Sequence, residues 1–243
     1  MVKITKITWN PQEISRNPEG SYKKFYKTVT NAVNRSQGIS NHSFYAGFKT
    51  FAEVYEEKEK PGELIKLSRN LIEYLVNKEQ EGLAGIAYSI LIKLNEKDPK
   101  TVEELALNGL AIAKRAKDPV HMFARARDLV ELYEKTNPGS DTHIKYLRVA
   151  NKALKDLCQN YSTTAKSRFH KISRDLKPLE NYELLLCSTK LDIVKYTYKQ
   201  DYHNAKYELE SAKELLNKNK ECKNKETFDI LSKKIAKYES KLN

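Results

Sequence analysis

Asn31, Asn70 and Asn108 stand 39 and 38 residues apart. An amide that donates and accepts at once suits a wall that holds the exposed backbone of an extended peptide. Lys27 and Lys66 stand four residues, one helical turn, before Asn31 and Asn70, where they would attract acidic side chains or a terminal carboxylate. Glu104 breaks that part of the series. Lys27, Asn31, Lys66, Asn70 and Asn108 are therefore the candidate peptide-groove residues. The competing reading is a row of solvated amides in an Asn-rich chain.

A second constellation is basic. The chain carries a formal net charge of +12, and residues 139–178 hold +6 of it. Lys145, Arg148, Lys152 and Lys155 recur at helical spacing, and Lys166, Arg168, Lys171 and Arg174 follow on the next segment with His170 among them. A stripe of this kind facing one way neutralises several phosphates and gives salt-dependent binding to RNA, DNA or an anionic membrane surface. Tyr161 and Phe169 fall in apolar stripes, so no stacking platform for single-stranded bases is evident. Lys greatly outnumbers Arg, which suits a solvated face better than bidentate readout.

The remaining chemistry-bearing residues form no recognisable reaction centre. His42, His121, His143, His170 and His203 never pair at metal-ligand spacing, and no zincin pattern occurs;. No stretch of close glycines precedes Lys and Ser or Thr, which argues against a phosphate loop. Cys158, Cys187 and Cys222 are odd in number and far apart, as expected of ordinary thiols in a reducing compartment;. The reading is of a non-catalytic protein with no cofactor.

Those residues must be carried by helices. Only eight glycines and seven prolines interrupt a text rich in Lys, Glu, Leu and Ala, and strand-like alternation is almost absent. Pro61, Pro99, Pro138 and Pro178 stand 38, 39 and 40 residues apart, each after a polar approach that suits a helix end;. A near-constant period of this size marks a solenoid of helical pairs, each burying its apolar face against its neighbours. Helices are expected near 21–36, 41–58, 62–78, 80–96, 100–117, 119–136, 141–160, 162–176, 179–199, 202–218 and 224–241. Phe44, Phe48, Phe51 and Tyr55 form one core stripe; Leu147, Ala150, Leu154, Leu157 and Tyr161 another; Phe228, Leu231, Ile235, Tyr238 and Leu242 a third, on a helix that covers the last open face.

Within these units the second helices share a pattern. Ala87, Leu91, Leu94 and Pro99 follow one another at steps of four, three and five; so do Ala126, Val130, Tyr133 and Pro138. Ala205, Leu209 and Ala212 repeat the first two steps, with Tyr196 nine residues before Ala205 and Asn217 in place of the proline. In these residues the chain resembles the tetratricopeptide repeat over about residues 61–218. The period here exceeds the family's length of about 34 residues, Ile193 stands where that family places a first-helix glycine, and Ala165, Phe169 and Ile172 are out of phase by one. Other helical-pair repeats thus stay open. The resemblance implies a right-handed all-α helical-hairpin solenoid of about five pairs plus a C-terminal capping helix. It also implies a concave groove for a peptide or protein segment.

Residues 1–20 are expected to be an extended segment, with Ser21 capping the first helix and residues 21–243 forming one repeat domain. Val2, Ile4, Ile7 and Trp9 make a short apolar strap, either tucked against the first helices or detachable. Neither the amino terminus nor the apolar stretch 82–92 is long enough to leave or span a membrane, so a cytoplasmic location is expected. The two functional readings are a protein-interaction scaffold and a helical-repeat protein that binds RNA or DNA through residues 139–178.

Overall fold

A computed structural model describes residues 9–35, 39–160, 182–221 and 225–242, and all regular structure among them is helical. In order the helices are α1 (Pro11–Arg16), α2 (Pro18–Asn34), α3 (Asn41–Glu57), α4 (Pro61–Asn77), α5 (Glu81–Leu94), α6 (Pro99–Arg115), α7 (Pro119–Thr136), α8 (Asp141–Asn160), α9 (Tyr182–Thr197), α10 (Tyr202–Lys218) and α11 (Lys225–Leu242). No helix among the described residues is long and apolar enough to cross a membrane. The helix expected over 162–176, the boundary at Pro178, and Tyr161, Phe169 and Cys222 lie outside the described residues.

Prolines start helices here. Pro11, Pro18, Pro61, Pro99 and Pro119 each occupy the first turn, where a missing N–H costs nothing and the fixed φ is already helical. Asn10, Asn17, Asp98 and Asp118 cap four of these starts by accepting backbone N–H bonds;. Glu59, Glu79 and Lys117 take the left-handed conformation, with φ of 55°, 54° and 50°. Glu59 and Glu79 each follow directly on the C-cap of a helix, α3 and α4, and turn the chain sharply toward the next one.

This corrects the reading of residues 11–20 as extended. Each of the two Asn-Pro steps caps a helix, so α1 forms at Pro11 and α2 begins at Pro18, with Asn17 rather than the buried Ser21 as its cap. Val2, Ile4 and Ile7 lie outside the described residues. Trp9, the described member of that strap, is tucked in: its ring lies 5.8 Å from Phe25 and 5.6 Å from Phe51.

Where one domain was expected, the chain divides into two compact units, residues 1–116 and 117–243, each with its own apolar core. Within each unit a helix packs on those next to it in sequence and next but one, the packing of an all-α helical solenoid. In the first unit Phe25, Phe44, Phe48, Phe51 and Tyr55 are fully buried between α2 and α3, and α3 packs on α5. In the second, α8 packs on α7 and α9, and α10 on α9 and α11. The stripe Leu231, Ile235, Tyr238 and Leu242 of α11 is buried in the same cluster as Leu184, Leu191 and Leu209.

Small residues set how closely these helices approach. Ala126 of α7 shares a cluster with Ala150 and Ala153 of α8. Between α9 and α10, Ala205 and Ala212 leave so little depth that the Cys187 thiol reaches the Ala212 carbonyl at 3.4 Å. Burial pushes that thiol up to about 12;.

The start of α8 carries a buried histidine. Gly139 takes φ +79°, where an L side chain is strained and a Cβ would also meet Tyr196 Cδ1 at 3.3 Å;. Its N–H donates to His143 Nδ1 at 3.0 Å, and the imidazole packs edge-on to the Tyr196 ring at 4.6 Å. Tyr196 is fixed in turn, donating to Glu134 at 2.9 Å and accepting from Lys195 at 2.6 Å. Burial holds the His143 imidazole below its ordinary value of 6.5, with Lys195 acting in the same direction and Glu134 against it.

Two predictions follow from this packing. Ala126→Leu and Ala205→Leu should each cost about 1–3 kcal/mol in urea unfolding, because overpacked helices must separate or distort. With the folded pKa of His143 depressed, the unfolded chain takes up its proton first as pH falls through 6.5. Stability should therefore drop below about pH 6.5, and the drop should be smaller in His143→Asn, which keeps an acceptor for Gly139 without a titrating ring.

Candidate functional site

Three helices of the first unit, α2, α4 and α6, are each 17 residues long and begin with proline, so positions can be matched by counting from Pro18, Pro61 and Pro99. Thirteen residues after Pro61 stands Tyr74. Its hydroxyl reaches across to α2, donating to Asn34 Oδ1 at 2.7 Å and to the Thr30 carbonyl at 3.2 Å, while its ring lies 6.3 Å from that of Tyr26. Tyr74 thereby bridges α4 and α2.

Thirteen residues after Pro99 stands Ile112, which has no hydroxyl and is too short to span. Asn77, the counterpart of Asn34, and Glu73, the counterpart of Thr30, consequently have no such cross-helix bond. What remains is a groove of about 310 Å³ between α4 and α6, with α5 beneath. Buried Ile72, Tyr88, Leu91 and Leu105 and half-buried Ile65, Val76 and Ile112 make its apolar lining; Arg69, Glu73, Asn77, Glu104, Asn108 and Arg115 make its polar rim. An apolar lining with a few convergent polar groups is the make-up of a ligand site.

The rim is weakly self-paired. Arg69 Nη2 and Glu104 Oε1 meet across the groove at 3.5 Å, with side chains 67% and 61% exposed, a pair worth about 0.2–1 kcal/mol. Glu73, Asn77, Asn108 and Arg115 have no side-chain partner among the described residues. Tyr88 is only 8% exposed, yet its hydroxyl finds no hydrogen-bond partner among the described residues. Burial pushes this phenol up, Glu104 adds to the rise and Arg69 opposes it, so it stays a protonated donor between the two charges.

All five candidate groove residues are exposed, but they do not share one site. Asn108 lines the groove; Lys27, Asn31, Lys66 and Asn70 are not among its lining residues. Asn70 and Asn108 both stand nine residues after their proline. They hold the same helical register, and one turn beyond Asn70 the Tyr74 hydroxyl bridges α4 to α2.

On α8, Lys145, Arg148 and Lys152 are exposed and line one shallow pocket of about 590 Å³ with Asp141, Thr197, Gln200 and Asp201. Lys155 is exposed one turn beyond Lys152. Asp201 Oδ2 lies 3.9 Å from Arg148 Nη2 and tempers the positive field. Lys166, Arg168, Lys171 and Arg174 lie outside the described residues.

No protein-family model, curated protein or solved structure matches this chain. The helical-repeat character accordingly rests on the packing itself. Ala87, Leu91, Ala126, Val130, Ala205, Leu209 and Ala212, on which the resemblance was built, are all buried on α5, α7 and α10. Arg69, Tyr88, Ile112 and Arg115 were not anticipated as site residues. Tyr88 follows directly on Ala87, and its aromatic type reads as core; the only sequence signal for the groove is the Tyr74-to-Ile112 difference at matched positions.

Proposed function

We infer that the chain is a non-catalytic interaction scaffold built of tetratricopeptide-like helical pairs, which takes a peptide or protein segment in the groove between α4 and α6. The observation that carries this reading is the open apolar channel at the one matched position where Ile112 replaces a bridging tyrosine. Apolar side chains of a partner would fill the lining, while Asn77 and Asn108 satisfy its backbone.

A phage-displayed random peptide library panned on the full chain tests it. Selected peptides should lose at least about tenfold in affinity on Ile112→Tyr, whose ring would fill the channel and whose hydroxyl would reach Asn77 as Tyr74 reaches Asn34, a loss typical of a blocked interface centre. Unfolding stability of that variant should be kept or raised. Asn108→Ala should weaken binding by about 1–3 kcal/mol through an unpaired peptide amide, while Asn70→Ala should not. Absence of any selected peptide, or binding indifferent to Ile112→Tyr, would overturn the reading.

A second reading, binding of RNA or DNA through residues 139–178, is favoured by the convergence of Lys145, Arg148 and Lys152 on one pocket. Asp141 and Asp201 in the same pocket place it second. If these cations meet phosphate, Arg148→Glu with Lys152→Glu should abolish binding of a random-sequence oligonucleotide in a salt titration. Unchanged binding would leave the stripe a solvated face.

A further inference from the structure

Tyr88 lines the groove with a hydroxyl that makes no hydrogen bond among the described residues, beside the two facing charges of the rim. Its hydroxyl proton, the Arg69 guanidinium and the single long contact from Arg69 to Glu104 define what would bind best at that point. A cation arriving there finds only Glu104 as a charged partner. A carboxylate finds two donors: Arg69, with most of its five N–H bonds unused, and the Tyr88 hydroxyl, which has no protein partner to give up;.

Resting on the groove reading above, we propose that the α4–α6 groove selects peptide segments carrying an internal Asp or Glu beside an apolar residue. The incoming carboxylate takes Arg69 from Glu104 and accepts a hydrogen bond from Tyr88. Glu104 is then a built-in stand-in for the ligand, occupying Arg69 in the empty groove and competing with it.

The acidic residue is internal because the apolar lining continues on both sides of this point. On α4, Ile65 lies one turn before Arg69, and Ile72 and Val76 follow it. A segment whose carboxylate reaches Arg69 must therefore extend in both directions to cover the channel. The apolar neighbour is required because the lining gains nothing from a polar one.

The test uses peptides selected by phage display on the full chain, resynthesised with amidated carboxyl ends and a fluorescent label. Each is compared with a version whose Asp or Glu is changed to Asn or Gln. The amide versions should bind about tenfold more weakly, and so should the acidic versions on Tyr88→Phe or Arg69→Gln, since a hydrogen bond to a charged group is lost in each case. Glu104→Gln should instead tighten the acidic peptides about threefold by removing the internal competitor.

Tyr88→Phe and Glu104→Gln keep shape and volume, so a circular-dichroism melt should show all variants folded alike. If peptides are selected and blocked by Ile112→Tyr, yet bind as well with Asn or Gln, or lose affinity on Glu104→Gln, this specificity is wrong while the groove stands. If amidation alone abolishes binding, the carboxylate recognised is terminal and the internal assignment is overturned. If no peptide is selected, both readings fall together.

Discussion

A 17-residue helix buries its apolar stripe only against what lies beside it, and in each unit of this chain the neighbours in space are neighbours in sequence;. That constraint governs the rest. It makes alanine necessary where second helices meet their partners, because bulk at Ala126 or Ala205 would separate helices whose stripes have no other cover. It also gives α2, α4 and α6 a common register, so a substitution at one matched position changes one gap and leaves the others intact. The exchange of Tyr74 for Ile112 does this: the apolar core is continuous on either side, and only the bridge over the channel is missing.

Polar groups follow the same logic of neighbours. Where burial is deep, charge is paired directly, as in Lys190 and Glu208, which meet at 2.6 Å between α9 and α10 with side chains 8% and 13% exposed. An unpaired charge there would cost several kcal/mol of desolvation, whereas the mutual pair plus hydrogen bonding holds it. The α4–α6 rim is arranged otherwise. Its one ion pair is long and solvated, and the Tyr88 hydroxyl makes no hydrogen bond among the described residues. Between α2 and α4, by contrast, the Tyr22 hydroxyl donates to Ser68 at 3.3 Å;.

Much of the architecture is legible in the sequence, because it depends on local rules. Helix period, proline punctuation and the Ala-Leu spacing act within a few residues, and the helices from α3 to α11 fall close to their expected spans. α1 was missed because Asn-Pro reads equally as turn and as helix start; the second Asn-Pro step, at 17–18, starts α2 three residues ahead of the expected 21. The division into two units was missed because a repeat period says nothing about where contacts between adjacent repeats thin out. Of the amides, Asn108 lines the groove and Asn31 and Asn70 do not. A periodic row of amides predicts equivalent positions on successive helices, which Asn70 and Asn108 do occupy. Whether the gap beside each is bridged depends on a different residue, one full turn further along the same helix.

That dependence separates a repeat's surface chemistry from its capacity to bind. An amide or a cation at a repeating position is available in every unit, yet a ligand needs apolar area taken from water, which only an unfilled gap supplies. The groove therefore has to be sought where the repeat deviates from itself. In the first unit the deviation is a lost hydroxyl at Ile112, and it uncovers in one place the half-buried Val76, the unbonded Asn77 and, below them, the phenol of Tyr88. The basic stripe of α8 differs in its charge: its cations repeat beside Ile144 and Val149, and Asp201 lies 3.9 Å from one of them. Attraction that rests on those cations is set by the salt, whereas apolar contact with the channel over α5 is not screened, so a partner on either surface would answer differently to ionic strength.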